Sequence, residues 1–126
     1  MPNWSPNWQD VRWNWGAADQ AASELRRVAD SIERASGDRT RAAAQATEQW
    51  RGQHRLRFDS YLQDALARAR AITEEYRDAA GRIDAASHRA RDEQSRRERD
   101  RARWRAEMEA EDRRRRDDEN RRQNHR

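Results

Sequence analysis

The chain has 126 residues, of which 41% are charged and 33% hydrophobic. This length allows one small domain, and the balance argues against a compact globule with a thick core. The basic side chains other than histidine are all arginine and the formal net charge is only +4, so the high pI overstates the basic character. The lack of cysteine excludes disulfides and thiolate metal sites, and no apolar run approaches the roughly 20 residues of a membrane span.

The first fifteen residues predict an extended, tryptophan-rich arm. Residues 2–4 and 6–8 repeat the triplet Pro-Asn-Trp, and two further tryptophans follow. Proline and asparagine without helical period favour extended or turn-rich backbone. Four tryptophans are not normally left in water, so they either fold back over the open end of a helical hairpin or contact a partner. The predicted arm contacts are Trp4, Trp8, Trp13 and Trp15.

A first long helix is predicted from the N-cap residue Asn14 to Gln49, with Gly37 as an interior glycine or kink. Its small and apolar residues alternate steps of three and four, the period of a seam that packs on another helix. These positions are Ala18, Ala21, Leu25, Val28, Ile32 and Ala35.

A second helix is predicted from about Gln53, with the same alternation of steps. The triplet Trp50-Arg51-Gly52 separates the two patterns and predicts the bend of a helical hairpin over residues 16–90. Leu56, Tyr61 and Leu66 widen the apolar face beyond the main stripe. The stripe itself comprises Phe58, Leu62, Ala65, Ala69, Ile72, Tyr76, Ala79, Ile83, Ala86 and Ala90.

Residues 91–126 form a tail rich in arginine and acidic residues. Pairs such as Asp92–Arg96 and Glu93–Arg97 favour an exposed helix. Trp104 and Met108 are its last apolar pair, and the charge blocks beyond them predict fraying into disorder.

Two alanine-rich helices enclose little apolar area, so the hairpin is expected to associate with itself or with a partner, the common remedy being a four-helix bundle. The overall prediction is an all-α, antiparallel hairpin that dimerises into such a bundle and carries a charged helical extension. The residues predicted to form the dimer or hairpin seam are Leu25, Val28, Ile32, Leu62, Leu66, Ile72, Tyr76 and Ile83.

The bend and the second helix resemble the WXG100 family, the helical hairpins exported by type VII (ESX) secretion systems of actinobacteria and firmicutes. The resemblance rests on Trp50 and Gly52 at the bend, on Phe58 eight residues after the tryptophan, and on apolar residues along the second helix. It implies a dimeric four-helix bundle whose partner is a second copy or a second WXG100-like protein. It also implies engagement of a type VII ATPase or a larger substrate, a cytoplasmic stage before export without a Sec signal peptide, and recognition through Trp50, Gly52 and Phe58.

The family's export signal is a tyrosine followed four residues later by an acid, and no aromatic residue in the second half of this chain has that spacing. Tyr76, for example, is followed by Ala80. Export is therefore expected to depend on a partner that carries the signal, or the chain acts as a companion of a secreted protein.

No catalytic motif is found, because His54, His88 and His125 lack partners in a spaced motif and no phosphate loop or zinc spacing occurs. We therefore expect no enzyme, no cofactor and no metal. Two alternatives stay open: a structural coiled-coil scaffold, and a nucleic-acid-associated protein that uses the Arg-rich tail, although acids flank each arginine run.

Overall fold

The computed structural model describes residues 2–125, so the first residue of the predicted arm and the last of the predicted tail lie outside the described part. It contains two helices, α1 at Trp15–Ala46 and α2 at Gln53–Asn124. Between residues 2 and 125 there is no strand, which confirms the all-α prediction. In the described chain no helix is long and apolar enough to cross a membrane.

The chain divides into two compact units, and α2 contributes to both. The hairpin unit comprises residues 14–87, that is, α1, the bend and the first part of α2. The second unit comprises residues 2–13 and the remainder of α2 from His88 onward.

Helix α1 begins where the sequence predicted. The side chain of Asn14 accepts a hydrogen bond from the Ala17 N–H at 3.0 Å, and its carbonyl accepts one from the Ala18 N–H at 3.0 Å. The side-chain bond satisfies an N–H that has no partner within the helix, which confirms Asn14 as the N-cap. The helix continues through Gly37 and ends at Ala46, three residues before the predicted end.

Ion pairs between the two helices set their antiparallel register. Arg26 contacts Asp84 at 2.6 Å, and Arg77 contacts Asp30 at 2.9 Å and also Glu33. As the residue number rises in α1 it falls in α2, so the predicted helical hairpin is confirmed. The hydrogen bonds from Arg77 to Glu33 and Asp30 raise the pKa of its guanidinium. These pairs are largely exposed, so they define register more than they add stability.

The seam of the hairpin is built from small residues. Ala29 and Ala80 are 0% exposed, and Thr73 and Ser87 are buried beside the alanines. No large side chain is fully buried in the described chain. Small residues let the two backbones approach closely but remove little apolar area from water.

Two residues predicted for the dimer or hairpin seam are exposed in the single chain. Val28 and Ile72 are each 42% exposed, and the neighbouring Ala29 and Thr73 are buried in their place. In α1 the buried positions are 18, 22, 29 and 43, with Leu25 half-buried between the second and third. At residues 28 and 29 the smaller side chain is the buried one, as close packing of the backbones requires. The other predicted seam residues are half-buried: Leu25, Ile32, Leu62, Leu66, Tyr76 and Ile83.

Candidate partner-binding surfaces

The bend between the helices is held by hydrogen bonds from Thr47, which caps α1. Its N–H donates to the Ala43 carbonyl at 3.0 Å, and its hydroxyl donates to the same carbonyl at 2.6 Å. The Trp50 N–H then donates to the Thr47 carbonyl at 3.0 Å. Thr47 is only 2% exposed, so this turn is a defined structure rather than a loose linker.

Gly52 provides the backbone conformation that lets α2 begin. Its φ of 98° lies in the left-handed region, and among the described residues Gly52 alone has a positive φ. Its carbonyl accepts the Leu56 N–H at 3.2 Å in the first turn of α2. The predicted bend at residues 50–52 therefore forms the end of the turn, and its glycine is required by the backbone.

Arg55 ties the bend to α2, a role that the sequence did not reveal. Its Nε donates to the two carboxylate oxygens of Asp59 at 3.0 and 3.1 Å. Its Nη1 donates to the carbonyls of Trp50, at 3.2 Å, and Thr47. The loop carbonyls that Arg55 reaches depend on the path of the turn, which the sequence pattern does not specify.

Trp50 and Phe58 form an aromatic pair at the bend. Their ring centroids lie 5.6 Å apart with the planes tilted by 45°. Trp50 remains 41% exposed, so the pair presents an aromatic surface. The structure thus brings together two of the three predicted recognition residues, while Gly52 contributes backbone geometry alone.

An apolar groove of about 430 Å³ adjoins Phe58 and is lined by both helices. Tyr61, on its rim, is 71% exposed. Large apolar groups exposed side by side mark interaction sites more often than single ones do. Arg39 is the charged residue among the lining residues, which are Arg39, Ala42, Ala43, Ala46, Phe58, Tyr61, Leu62 and Ala65.

The arm packs on α2 between Gln94 and Glu107. Trp104 contacts both tryptophans of the repeat. Its indole N–H donates to the Trp4 carbonyl at 3.1 Å, and its ring meets Trp8 edge-to-face with centroids 5.4 Å apart. The indole N–H of Trp4 donates to Glu107 at 2.8 Å. We call arm residues 2–11 together with α2 residues 93–107 the clasp.

Two arginines beside Trp104 stack on the tryptophans of the repeat. The guanidinium of Arg103 lies 4.1 Å from the ring centroid of Trp4, and that of Arg105 lies 5.3 Å from the ring centroid of Trp8. Both distances are within the range of cation–π attraction. Each Pro-Asn-Trp unit therefore has its own arginine on α2.

Arginine side chains also hold the backbone of the arm. Arg101 donates to the carbonyls of Asn7 at 2.9 Å and Gln9 at 2.7 Å, and it contacts the Asp10 carboxylate at 2.9 Å. Arg97 donates to the Gln9 carbonyl at 3.1 Å. Hydrogen bonds from Gln94 and Arg101 lower the pKa of Asp10. The side chain of Arg101 is only 14% exposed, so it lies under the arm.

The other two predicted arm tryptophans have different positions. Trp13 is 37% exposed. Trp15 is the first residue of α1, and its indole N–H donates to the Ser87 carbonyl at 3.1 Å within the hairpin unit. Trp15 thus belongs to the hairpin rather than to the arm.

The tail is helical as far as Asn124, beyond the point at which we expected fraying. Of the predicted acid–arginine pairs, Arg97 with Glu93 forms at 3.0 Å, whereas Arg96 contacts Glu93 at 2.7 Å and Asp100 at 3.9 Å. Hydrogen bonds from Arg96 and Arg97 lower the pKa of Glu93 to about 2. Across residues 2–125 no cluster of three His or acidic side chains is placed to hold a metal ion.

No protein-family model matches this chain, and no curated protein or solved structure is significantly similar to it.

Proposed function

We propose that this chain is a non-enzymatic interaction protein of a type VII (ESX) secretion system, as an exported substrate or as the dimeric companion of one. The observation that carries the proposal is the bend, where an exposed Trp50 packs against Phe58 beside Gly52, whose φ is left-handed. A tryptophan left 41% exposed at a rigid turn is suited to contact another protein, because it offers a large apolar surface at little conformational cost.

The partner in this proposal is a second helical hairpin, either another copy or a similar protein, and the pair forms a four-helix bundle. The need for it comes from the seam, whose fully buried positions are alanines. Val28, Ile72 and Tyr61 are each more than two-fifths exposed and would be covered by a second hairpin. The apolar groove beside Phe58 would accept side chains of that hairpin.

Pairing is tested with the substitution Tyr61→Asp, which places a charge on the rim of the groove. Sedimentation of the parent chain should give about twice 15.1 kDa, and the variant should shift toward the monomer mass. Gln63→Asp is the matched control, because Gln63 is an exposed polar residue of the same helix. A parent chain that stays monomeric at micromolar concentration, both alone and with co-expressed helical hairpin proteins, contradicts the proposal.

Recognition is tested with Trp50→Ala. The helical content should be retained, because the seam does not include Trp50, whereas export or partner binding should fall several-fold. Gln49→Ala, at an exposed polar position beside the bend, is the control and should leave both unchanged. If Trp50→Ala unfolds the hairpin, then Trp50 stabilises the fold and the recognition role is wrong.

A structural coiled-coil scaffold is the second candidate. It is favoured by the length of α2, 72 residues without interruption. A scaffold needs the seam but makes no demand on the aromatic surface at the bend. Retained partner binding and localisation in both Trp50→Ala and Phe58→Ala would favour it over the secretion function.

A further inference from the structure

We propose that α2 residues 93–107 are a binding surface for an extended, tryptophan-bearing peptide, and that the partner it fits is the arm of a second copy of this chain. The clasp within one chain is the intramolecular form of this contact. The inference stands apart from the secretion proposal, because it concerns a different surface and needs neither Trp50 nor the groove.

The arm docks as a peptide ligand docks, without a fold of its own. Residues 2–11 contain neither helix nor strand. Within the arm, the Ser5 hydroxyl donates to the Pro6 carbonyl at 3.4 Å and the Gln9 N–H donates to the Asn7 side chain at 2.9 Å. The contacts that fix its path are those to α2, so the conformation of the arm is imposed by the helix.

The backbone of the arm is recognised by three side-chain donors on one stripe of α2. Arg97, Arg101 and Trp104 follow one another at steps of four and three, which places them on the same helical face. They donate to arm carbonyls at distances between 2.7 and 3.1 Å. Carbonyl recognition demands an extended segment but is indifferent to its side chains, so it supplies affinity rather than sequence preference.

Sequence preference comes from the two tryptophans, four residues apart. Trp4 lies under Arg103 and donates to Glu107, and Trp8 lies under Arg105 and meets Trp104 in an edge-to-face pair. A ligand must therefore carry two tryptophans at this spacing, with extended backbone between them. The tandem Pro-Asn-Trp repeat meets both demands, because proline fixes φ in the extended range.

Every copy of the chain carries both the ligand and the surface. The atoms of the contact are the same whether the arm belongs to its own chain or to another, so exchange of arms between two copies creates a closed, symmetric dimer. The arm of the same chain competes at an effective concentration on the order of millimolar. Binding between copies is therefore strongest where the intramolecular contact is disabled.

The test mixes two full-length variants that cannot close the clasp alone. Trp4→Ala/Trp8→Ala disables the arm and leaves the surface, whereas Trp104→Ala disables the surface and leaves the arm. The mixture should associate at least about tenfold more tightly than either variant associates with itself, because only the mixture joins an intact arm to an intact surface. Sedimentation with a fluorescent label on one variant measures both the mixed and the single associations.

A synthetic peptide of residues 2–11 provides a second measurement. It should bind the Trp4→Ala/Trp8→Ala chain at least about tenfold more tightly than it binds the parent chain, in which the intramolecular arm competes. A peptide of the same composition in scrambled order should bind neither. Arg101→Met, which removes the carbonyl donor without removing an aromatic ring, replaces Trp104→Ala if circular dichroism shows that the latter has lost helix.

Equal association in the mixed and single samples, or equal binding of the ordered and scrambled peptides, overturns the proposal. Pairing of hairpins through the groove would appear equally in all samples as a common background. Loss of that background by Tyr61→Asp, with the mixed association retained, separates the two surfaces.

Discussion

In the hairpin, α2 is covered by another helix through alanines, whereas in the clasp it is covered by an extended segment through tryptophan and arginine. Ala29 and Ala80 are completely buried but bring little apolar area with them. Trp104 is only half-buried, yet it contacts the Trp8 ring and donates to the Trp4 carbonyl. Both regions cover one face of a polar helix. They differ in which substitutions should reduce their stability.

The hairpin depends on distance between backbones, and the clasp depends on directed contacts. In the hairpin, a larger side chain has no space at a buried seam position. Changes in charge at the exposed ion pairs should alter the free energy of unfolding only slightly. In the clasp, cation–π and hydrogen-bonded contacts at an exposed site contribute about 0.5–1 kcal/mol each, so affinity is spread over several side chains. The following substitutions separate these two kinds of stabilisation, beginning with the largest expected effect.

Ala29→Leu should cause the largest loss of stability. The added methyl groups force the helices apart at a position that is 0% exposed, and overpacking of this kind costs about 1–3 kcal/mol. Urea unfolding followed by circular dichroism measures the change. Ala44→Leu, at an exposed position of the same helix, should alter stability by less than about 0.5 kcal/mol. Equal effects of the two substitutions would show that the alanine seam is not closely packed.

Arg101→Met should release the arm while leaving the hairpin intact. It removes donors to the Asn7 and Gln9 carbonyls and the contact with Asp10, each of which contributes about 0.5–1 kcal/mol at this exposed site. Amide exchange and proteolysis within residues 2–11 should rise, while the urea midpoint of the hairpin stays constant. Arg99→Met is the control, because Arg99 lies on an exposed part of the same helix. If the arm of Arg101→Met stays protected from exchange and proteolysis, the contacts of Arg101 are not needed to hold the arm on α2.

The bend and the start of α1 were predictable because their signals are local. Asn14 caps the helix with its own side chain, and Gly52 meets the requirement of one backbone angle. The phase of the seam was harder to predict. Val28 and Ala29 both continue an alternation of three and four, so hydrophobicity favoured the larger residue while close packing of the backbones selects the smaller.

The clasp could not be derived from pattern, because its partners are about a hundred residues apart and several acceptors are backbone carbonyls. Trp104 bonds to Trp4 at a separation of 100 residues. The unusual tryptophan content indicated that the arm must be covered, and Trp104 was recognised as the last aromatic residue of the tail. Helical periodicity does not connect the arm with Trp104, because every residue has a backbone carbonyl and the sequence does not show which one accepts a hydrogen bond.

Gly52→Ala separates backbone conformation from side-chain packing within the hairpin, because it tests a requirement of the backbone alone. A Cβ at Gly52 meets no atom within 4 Å, so the whole cost comes from a φ of 98° and should be about 1 kcal/mol. Gly81→Ala is the matched control, since Gly81 lies inside α2 and is equally unobstructed. That change should stabilise the chain by about 1 kcal/mol, because alanine favours helix. Thermal unfolding should therefore move in opposite directions, and a shift of the same sign in both variants contradicts the assignment.

Acidification should produce the smallest effect and should affect the clasp before the hairpin. The pKa of Glu93 is lowered from 4.5 to about 2, because Arg96 and then Arg97 donate to its carboxylate, and Arg97 also holds the Gln9 carbonyl. A group whose pKa is lower in the folded state contributes its full stabilisation above the unfolded pKa and loses it as pH falls. The protection of the arm should therefore be constant from pH 7 to about 5 and decline as pH falls from about 4.5 toward 2.

Asp10 acts in the same direction, because hydrogen bonds from Gln94 and Arg101 also lower its pKa. An NMR titration of the side-chain carboxyl carbons distinguishes the two groups, and Glu93→Gln should remove one of the two transitions while Asp10→Asn removes the other. The effect is small because the Glu93 side chain is 34% exposed and water competes for its charge. A midpoint near 4.5 for Glu93 in the intact chain would mean that its arginine pairs do not persist in solution. The decline in arm protection with falling pH would then come from Asp10 alone, whose carboxylate Arg101 contacts at 2.9 Å.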